Sequence, residues 1–458
     1  VKIIILGAGQ VGRTAAEQLS REQVNDVTVV DTREEVLREL QDRLDIRTVA
    51  GNAAHPSVLE SAGGADADMI VALTNSDEVN MIACQVAHTL FGTPTKIARV
   101  RSADFSGRPK LFAEGGLHVD VMISPEQLVT DNVGRLIRYP GALQVLDFAD
   151  GRVRMIGMRA VKGGQLVGHQ LRELREHIPK RDARVAAIYR AGRSIQPEGD
   201  TVIEAGDEVF FIAALDDIRA MMKELRTEED PARRVIIAGA GNIGFRLAQS
   251  LEGDNQVKLI ERDPLRARRA AERLKRALVL TGDAADEELL LEENIDDADV
   301  FVSLTNAEEA NILSAMLAKR LGAHRAMALI NKPSYAELIE GGTIDVAISP
   351  QTITIGALLE HVRRGDVVRV HSLRRGAAEA MEAVVHGDSR SSPVVGRKVE
   401  QIELPGGTTI GAIVRRDEVI MAHHDTVIEA DDHVILFLTD RRHVEALGRL
   451  FQAGTRAR

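Results

Sequence analysis

Apolar residues in the first hundred positions come in short dense blocks: "KIIIL" from Lys2, "VTVV" from Val27, "MIVAL" from Met69 and "IARV" from Ile97. Between them lie stretches such as "VGRTAAEQLS", where apolar positions recur with a helical period. Runs this short and this uniformly apolar suit strands covered on both faces, as in a parallel sheet. The pattern predicts strands over Ile3–Leu6, Val27–Val30, Arg47–Val49, Met69–Leu73 and Ile97–Val100, alternating with helices of about a dozen residues. That is a doubly wound α/β sheet. After "ISPEQLV" the texture changes. Ser124 and Gln127 have capping-box spacing and Pro125 stands at a first helical position, so a helix is predicted to start there. Short apolar runs follow, punctuated by Gly192, Pro197, Gly199 and Gly206, which reads as a small α+β domain.

The whole pattern then repeats. "KIIILGAGQVG" returns as "RVIIAGAGNIG", "LTNSDEVN" as "LTNAEEAN", "HVDVMISPEQLV" as "TIDVAISPQTIT", and "DTVIEAGDEVFFIA" as "DTVIEADDHVILFL". Ordered matches at a nearly constant offset, on the order of 230 residues, mark a duplication. The second copy keeps Ser349 and Pro350, but Thr352 takes the Gln position of the capping box. The expected layout is a first Rossmann-type domain over residues 1–125 and a crossover helix with its small domain over 126–226. A linker at 227–232 contains Pro231. The second Rossmann-type domain covers 233–350, and the second crossover segment with its small domain 351–458.

Composition narrows the classes. The chain has 458 residues, 44% of them hydrophobic and 28% charged, ordinary for a globular protein with sizeable cores. Lys and Arg number 58 against 69 Asp and Glu, for a net charge of −11, which argues against general nucleic-acid binding. The basic run "RDPLRARRAAERLKR" fits a solvated helix face. A single cysteine, Cys84, excludes an intramolecular disulfide and a thiolate-rich metal site; in "NMIACQVA" it reads as a buried, inert thiol. No metal site is expected. No apolar run approaches a membrane span and nothing resembles a signal peptide, so the chain reads as cytoplasmic.

The candidate chemistry lies in the two glycine turns. Gly7, Gly9 and Gly12 follow a predicted strand and open a predicted helix, with Asp31 at the end of the next strand. Gly7 permits the tight turn, Gly9 lets a pyrophosphate approach the backbone, and Gly12 lets helix and sheet pack closely. The turn residues Ala8, Gln10 and Val11 complete the loop, whose N–H groups and helix dipole suit phosphate. Asp31 is expected to accept from both ribose hydroxyls and to repel a 2′-phosphate, favouring NAD over NADP, with Arg33 nearby as the contrary signal. The second copy offers Gly239, Ala240, Gly241, Asn242, Ile243, Gly244 and Glu261. Thr74, Asn75, Thr305 and Asn306 fall where the crevice opens, either as nucleotide contacts or as caps of the following helices. Arg99 and Arg101 end the fifth strand of the first copy; the matching "RAMALINK" has no arginine there, so the second site is expected to differ in ligand or occupancy.

A dehydrogenase would add an acid–base residue over the nicotinamide. The 13 histidines form no repeated constellation, and His423–His424 reads as a turn. The carboxylates of "EAGDEV" and "EADDHV" read as solvated turn tips, and beyond the glycine loops and turns no polar residue common to both copies stands out. A binding protein without chemistry is therefore expected. An NAD-dependent oxidoreductase with an unrecognised substrate site, or a scaffold that has lost its ligand, are the alternatives.

With "GAGQVG", "VVD", "LTNSDEVN" and "ARVRS" followed by "GDTVIEAGDEV", each half resembles the RCK (regulator of potassium conductance) family. The tandem arrangement, with "YPGALQV", "ARVAAIYR" and "SLRRGAAEAMEAVVHGD", is similar to the cytoplasmic regulatory subunits of bacterial Trk potassium uptake systems, over essentially the whole chain. The resemblance implies NAD or NADH in the first Rossmann-type unit, with ATP or ADP as further candidate ligands. It implies a homotetrameric ring held on the cytoplasmic side of the inner membrane by a TrkH/TrkG-type potassium-translocating subunit. The family's binding positions carry over to Gly7–Val11, Asp31, Thr74, Asn75 and Arg99, and to Gly239–Ile243 and Glu261.

Overall fold

A computed structural model describes residues 1–21, 25–113, 115–179, 181–227, 231–339, 342–362, 367–373, 378–439 and 443–451. Part of the expected linker and part of "SLRRGAAEAMEAVVHGD" lie outside the described residues. The first domain runs β1 (Lys2–Leu6), α1 (Gln10–Ser20), β2 (Asp26–Asp31), α2 (Glu34–Gln41), β3 (Arg47–Ala50), α3 (Pro56–Ser61), β4 (Met69–Ala72), α4 (Asp77–Val86), β5 (Thr95–Arg99), α5 (Ala103–Ser106) and β6 (Val121–Ile123). Every strand pair is parallel, in the order β3-β2-β1-β4-β5-β6. Central β4 is buried at all four positions, which is why its sequence shows no alternation. The three-residue β6 is too short to announce itself in the sequence. It pairs Ile123 with Arg99, so the sheet has one more strand than the pattern predicts. The Cys84 thiol is buried against the sheet, and burial pushes its pKa up to about 12.

Helix α6 (Pro125–Arg138) leads into β7 (Ala142–Phe148), β8 (Val153–Arg159), α7 (Leu174–His177), β9 (Ala183–Arg190), β10 (Arg193–Ile195), β11 (Glu208–Ala214) and α8 (Ile218–Leu225). The second copy gives β12 (Arg234–Ala238), α9 (Asn242–Leu251), β13 (Gln256–Glu261), α10 (Pro264–Arg273), β14 (Leu278–Thr281), α11 (Glu287–Glu292), β15 (Val300–Ser303), α12 (Glu308–Arg320), β16 (Ala326–Leu329), α13 (Pro333–Ile339) and β17 (Val346–Ile348). It closes with α14 (Pro350–Val362), β18 (Val367–Leu373), β19 (Ala378–Val384), β20 (Thr408–Arg415), β21 (Glu418–Met421), β22 (His433–Leu438) and α15 (Val444–Phe451). The parallel sheet β14-β13-β12-β15-β16-β17 repeats the first order, and the antiparallel sheets β10-β9-β11-β8-β7 and β21-β20-β22-β19-β18 repeat one another. The chain is thus two tandem doubly wound Rossmann-type sheets, each followed by a small α+β domain.

Two compact units result: Val1–Val129 with Ser349–Leu358, and Thr130–Ile348 with Leu359–Arg458. The first turns of α14 therefore pack with the first Rossmann-type domain, and most of α6 belongs to the second unit. Inside that second unit the two small sheets share one core. Phe148, Met155, Phe210 and Ile212 from one meet Ala380, Ala412, Ile435 and Phe437 from the other, with the Phe210 and Phe437 rings 6.2 Å apart. Glu382, only 1% exposed, reaches across to accept from Ala149 N at 2.9 Å and pairs with His433 Nδ1 at 2.6 Å. It thereby holds a turn in which Ala149 and Asp150 both have positive φ. Arg325 donates to Leu136 O at 2.8 Å and to Ala142 O, placing its charge at the carbonyl end of α6, where the helix dipole favours a cation.

One expectation fails in the small domains. Asp207 in "EAGDEV" and Asp432 in "EADDHV" are not solvated: they are 1% and 0% exposed. Asp207 takes Arg190 Nε and Nη2 at 2.8 Å each, and Asp432 takes Arg415 Nε and Nη2 at 2.8 and 2.9 Å. A planar guanidinium fits a carboxylate two-to-two, so each hairpin is locked by a forked ion pair that both copies share. Glu204 and Glu429, at 58% side-chain exposure, and Asp431, at 87%, are solvated.

Candidate functional site

The first cleft opens at the carboxyl ends of β1 and β4, where the strand order reverses. Gly7 has φ +101°, and a Cβ there would lie 3.0 Å from the Thr74 backbone. A Cβ on Gly12 would lie 1.8 Å from Gly7 O, so α1 sits directly on the turn. Gly9 differs: a Cβ on it would meet nothing within 4 Å. Its bareness serves no packing need in the protein and leaves the backbone open to an approaching group. Gly9 caps α1 with no side-chain acceptor, and the first-turn N–H groups of a helix, here those of Gln10, Val11 and Gly12, have no partner within the helix itself.

Asp31 steadies this turn. Its Oδ2 accepts from Ala8 N at 2.6 Å, and its Oδ1 accepts from Arg33 N at 2.9 Å and Arg33 Nε at 3.2 Å. Burial opposes its ionisation, but the Arg33 side chain and the Ala8 and Arg33 N–H groups outweigh burial and hold the carboxyl below its ordinary range. A carboxylate offers about four acceptor sites. The protein fills three, leaving room for one ribose hydroxyl; meeting both requires Arg33 Nε to leave.

Thr74 and Asn75 sit at the end of β4. Neither caps α4: Ser76 does, accepting from Val79 N at 3.2 Å. The Thr74 hydroxyl lies 2.6 Å from Asn80 Oδ1, which also accepts from Thr74 N at 2.9 Å, while Asn80 Nδ2 donates to Arg99 O at 2.9 Å. Asn80, fully buried, thus ties the ends of β4 and β5 together across the mouth. Asp77 Oδ2 accepts from Arg101 N and Ser102 N at 2.9 and 2.8 Å and fixes the next loop. Sequence reasoning passed over both residues, although both stand in the repeated "LTNSDEVN". Arg99 extends toward Glu126 on the first turn of α6, with Nη2 3.9 Å from Oε1.

The second cleft is built alike. Gly239 has φ +101°, a Cβ on Gly244 would lie 1.9 Å from Gly239 O, and Gly241 faces open space. Asn242 and Ile243 open α9. Glu261 accepts from Ala240 N at 2.8 Å and Asp263 N at 2.9 Å. Asn311 repeats Asn80, bonding Thr305 N and Leu329 O at 2.9 and 3.0 Å. Gly239, Gly241, Glu261, Thr305 and Asn306 all line one hollow of about 580 Å³. A smaller hollow of about 430 Å³ lies at the opposite strand ends, its Lys258 and Arg234 paired to Glu293 and Asp297 on its own rim. Among the described residues no group of three or more His, Cys, Asp or Glu could hold a metal ion, and no helix is long and apolar enough to cross a membrane.

Residues 3–125 and 235–350 match the TrkA-N domain, and residues 155–226 and 389–452 the TrkA-C domain. The chain belongs to the TrkA family. It is 61% identical over 454 residues to the Trk system potassium uptake protein TrkA of Halomonas elongata, covering 99% of each chain. It is 58% identical to that of Vibrio alginolyticus and 51% to that of Haemophilus influenzae, each over 453 residues and 99% of both chains. TrkA-type architecture is also visible in solved structures. The GsuK RCK domain superposes with a TM-score of 0.61 at 19% identity, over 98% of this chain and 94% of that one. The GsuK channel bound to NAD gives 0.61 at 19% identity, over 98% and 78%. Likeness at that identity concerns the fold alone.

Proposed function

We propose that this TrkA-family chain is the regulatory subunit of a Trk-type potassium uptake system and binds NAD or NADH in its first cleft. ATP or ADP are alternative occupants of the same adenine-nucleotide site, and the second cleft takes a ligand with different demands. The single observation that carries the reading is the open glycine turn. Gly9 is bare with no internal reason, no side chain caps the start of α1, and three of the roughly four acceptor positions of the Asp31 carboxylate are taken by Ala8 N, Arg33 N and Arg33 Nε. The GsuK channel, which shares this fold, binds NAD, and that is consistent with this reading.

Of the chain's own groups, the turn N–H donors hold the diphosphate, Asp31 reads a ribose hydroxyl, and Asn80 keeps the two strand ends at fixed separation. Nicotinamide chemistry, when such a cofactor is bound, belongs to the cofactor, and no residue is assigned to turnover. Occupancy acts by population shift, through differential affinity for two conformations. A tenfold preference is about 1.4 kcal/mol per site, so four first clefts in a homotetramer supply about 5.6 kcal/mol, close to the roughly 5.5 kcal/mol that moves 1:99 to 99:1. The ring works from the cytoplasmic face on a TrkH/TrkG-type membrane subunit.

The test is a thermal-shift and calorimetry panel of NAD, NADH, NADP, ATP and ADP on the unaltered chain and Asp31→Ala, with potassium flux in vesicles carrying the membrane subunit. Stabilisation by NADH that Asp31→Ala weakens, with flux following occupancy, is expected. Stabilisation by none of the five, or steady consumption of NADH by the chain alone, would overturn the reading.

A further inference from the structure

The second Rossmann-type domain carries a strongly basic helix that the first lacks. Residues 262–276, which are α10 and its flanks, hold seven Lys or Arg against two acids, in a chain whose net charge is −11. The matching residues 32–46 around α2 hold three against five. The packing positions correspond, with Leu37 and Leu40 of α2 answered by Ala267 and Ala270 of α10, all four buried. The outward positions do not: Glu35 is answered by Leu265 and Glu39 by Arg269. All seven cations are exposed, so none of them serves the packing of the domain.

Nor do the charges serve the helix. A helix start favours acids, and α2 places Glu34 and Glu35 there, whereas the first turn of α10 has no acid and holds Arg266. Arg269 stands three residues after Arg266 and four before Arg273, spacings at which like charges repel. Internal relief is slight. Arg266 meets Asp263 at 3.4 Å and Arg268 meets Glu272 at 3.1 Å, exposed pairs of a kind that contribute little. Among the described residues Arg262 and Arg269 have no acid within ion-pair distance. A cationic face kept against its own repulsion, and unneeded by the fold, is complementary to an anionic partner.

We propose that the outer face of α10 docks on the anionic phospholipid headgroups of a bilayer. The inference rests on the reading that the chain works at the cytoplasmic face of a membrane. The exposed side of a ten-residue helix is a convex ridge about 15 Å long, and headgroups in a fluid layer gather and rearrange to meet such a shape. Basic clusters are drawn to an anionic leaflet, each cation near the surface strengthening attachment about fivefold. Leu265, 68% exposed among these cations, suits the boundary between headgroups and acyl chains. Nucleic acid fits less well. A duplex is a rigid polyanion that runs on past the helix and is repelled by a chain acidic at large, and α10 has no Asn, Gln, Ser or Thr to read a base edge.

The experiment is co-sedimentation of the full chain, with no membrane subunit present, on phosphatidylcholine vesicles and on vesicles carrying about one-third phosphatidylglycerol. The variants are Arg268→Gln, Arg269→Gln and the two together; Arg262 and Arg266 are left alone because they line the second cleft. Arg38→Gln, at the matching exposed position of α2, is the control, and circular dichroism checks that each variant folds. The unaltered chain should bind the anionic vesicles only, and less as salt is raised. Each α10 substitution should weaken binding about fivefold and the pair about 25-fold, with Arg38→Gln within about twofold of the original. Equal attachment to neutral vesicles, attachment to neither, or a double variant that binds like the unaltered chain would overturn the inference. So would retardation of a DNA duplex, or self-association that the double variant abolishes, in a chain that ignores anionic vesicles. Because only lipid and protein are present, a negative result leaves the regulatory-subunit reading intact, and a failed flux assay with vesicle binding retained removes that reading but not this one.

Discussion

Replacing Asn80 by Ala removes the side chain that joins β4 to β5. Asn80 Oδ1 serves Thr74 N at 2.9 Å and the Thr74 hydroxyl at 2.6 Å; Nδ2 serves Arg99 O at 2.9 Å and, more weakly, Thr74 O at 3.3 Å. A net hydrogen bond is worth about 0.5–1.5 kcal/mol, and a buried group left alone costs about 1–3 kcal/mol. Thr74 and Arg99 are half-buried, so water recovers part of the loss, and about 2–4 kcal/mol remains. At roughly 3 °C per kcal/mol for a domain of this size, the melting transition of the first unit should fall by on the order of 10 °C. The strand ends should also separate, weakening NADH in the first cleft about tenfold, because misplaced donors lose charge-assisted bonds. Scanning calorimetry and titration on the full chain read the two effects. Asn311→Ala is the internal control: it cuts the same bonds in the second copy and should destabilise without touching first-cleft affinity. An Asn80→Ala chain within about 0.5 kcal/mol of the original, binding NADH within twofold, would refute the role of this network.

Three further outcomes follow from the geometry. Gly9→Ala should fold normally yet lose nucleotide binding, because its Cβ meets only the space reserved for ligand, whereas Gly12→Ala should unfold the first unit by driving a methyl to 1.8 Å from Gly7 O; circular dichroism with titration separates them. Asp207→Ala and Asp432→Ala should each cost about 2–3 kcal/mol in denaturant melts, below the usual range for a broken buried pair because Arg190 and Arg415 keep 33% and 26% side-chain exposure, and the two values should agree. Burial raises Glu360 to about 7, Arg369 opposing and Glu382 adding to the shift. A carboxyl with its folded pKa above its unfolded value loses stability as pH rises between the two. Glu360→Gln should therefore stabilise by about 2–3 kcal/mol at pH 8 and by little near pH 4, read from melts across that range.

The parts of the fold that were legible in the chain are those set by local rules. β1 and β4 are buried on both faces and read as apolar blocks; the glycine turns need positive φ at Gly7 and close approach at Gly12, which only one residue type supplies. β6 is three residues long and carries no period. Asp207 and Asp432 read as solvated because a carboxylate in a Gly/Asp turn usually is; their burial depends on an arginine one strand away, 17 positions earlier in each copy. Asn80 was legible only as a letter repeated in a motif, since its partners come from two strand ends. The grouping of Ser349–Leu358 with the first Rossmann-type domain, and the shared core of the small sheets, are tertiary choices that no local pattern encodes.

Because both small sheets come from one polypeptide, their shared core forms at an effective concentration fixed by the tether and not by the cell's supply of protein; for short flexible links that figure is in the millimolar range. The pairing therefore survives dilution that would separate two independent single-copy chains. Each half is also spared the need to be self-complementary. One copy could drop Arg99 and Glu126 for Leu329 and Gln351 while the other kept them, and the asymmetry is inherited in every molecule in a fixed one-to-one ratio.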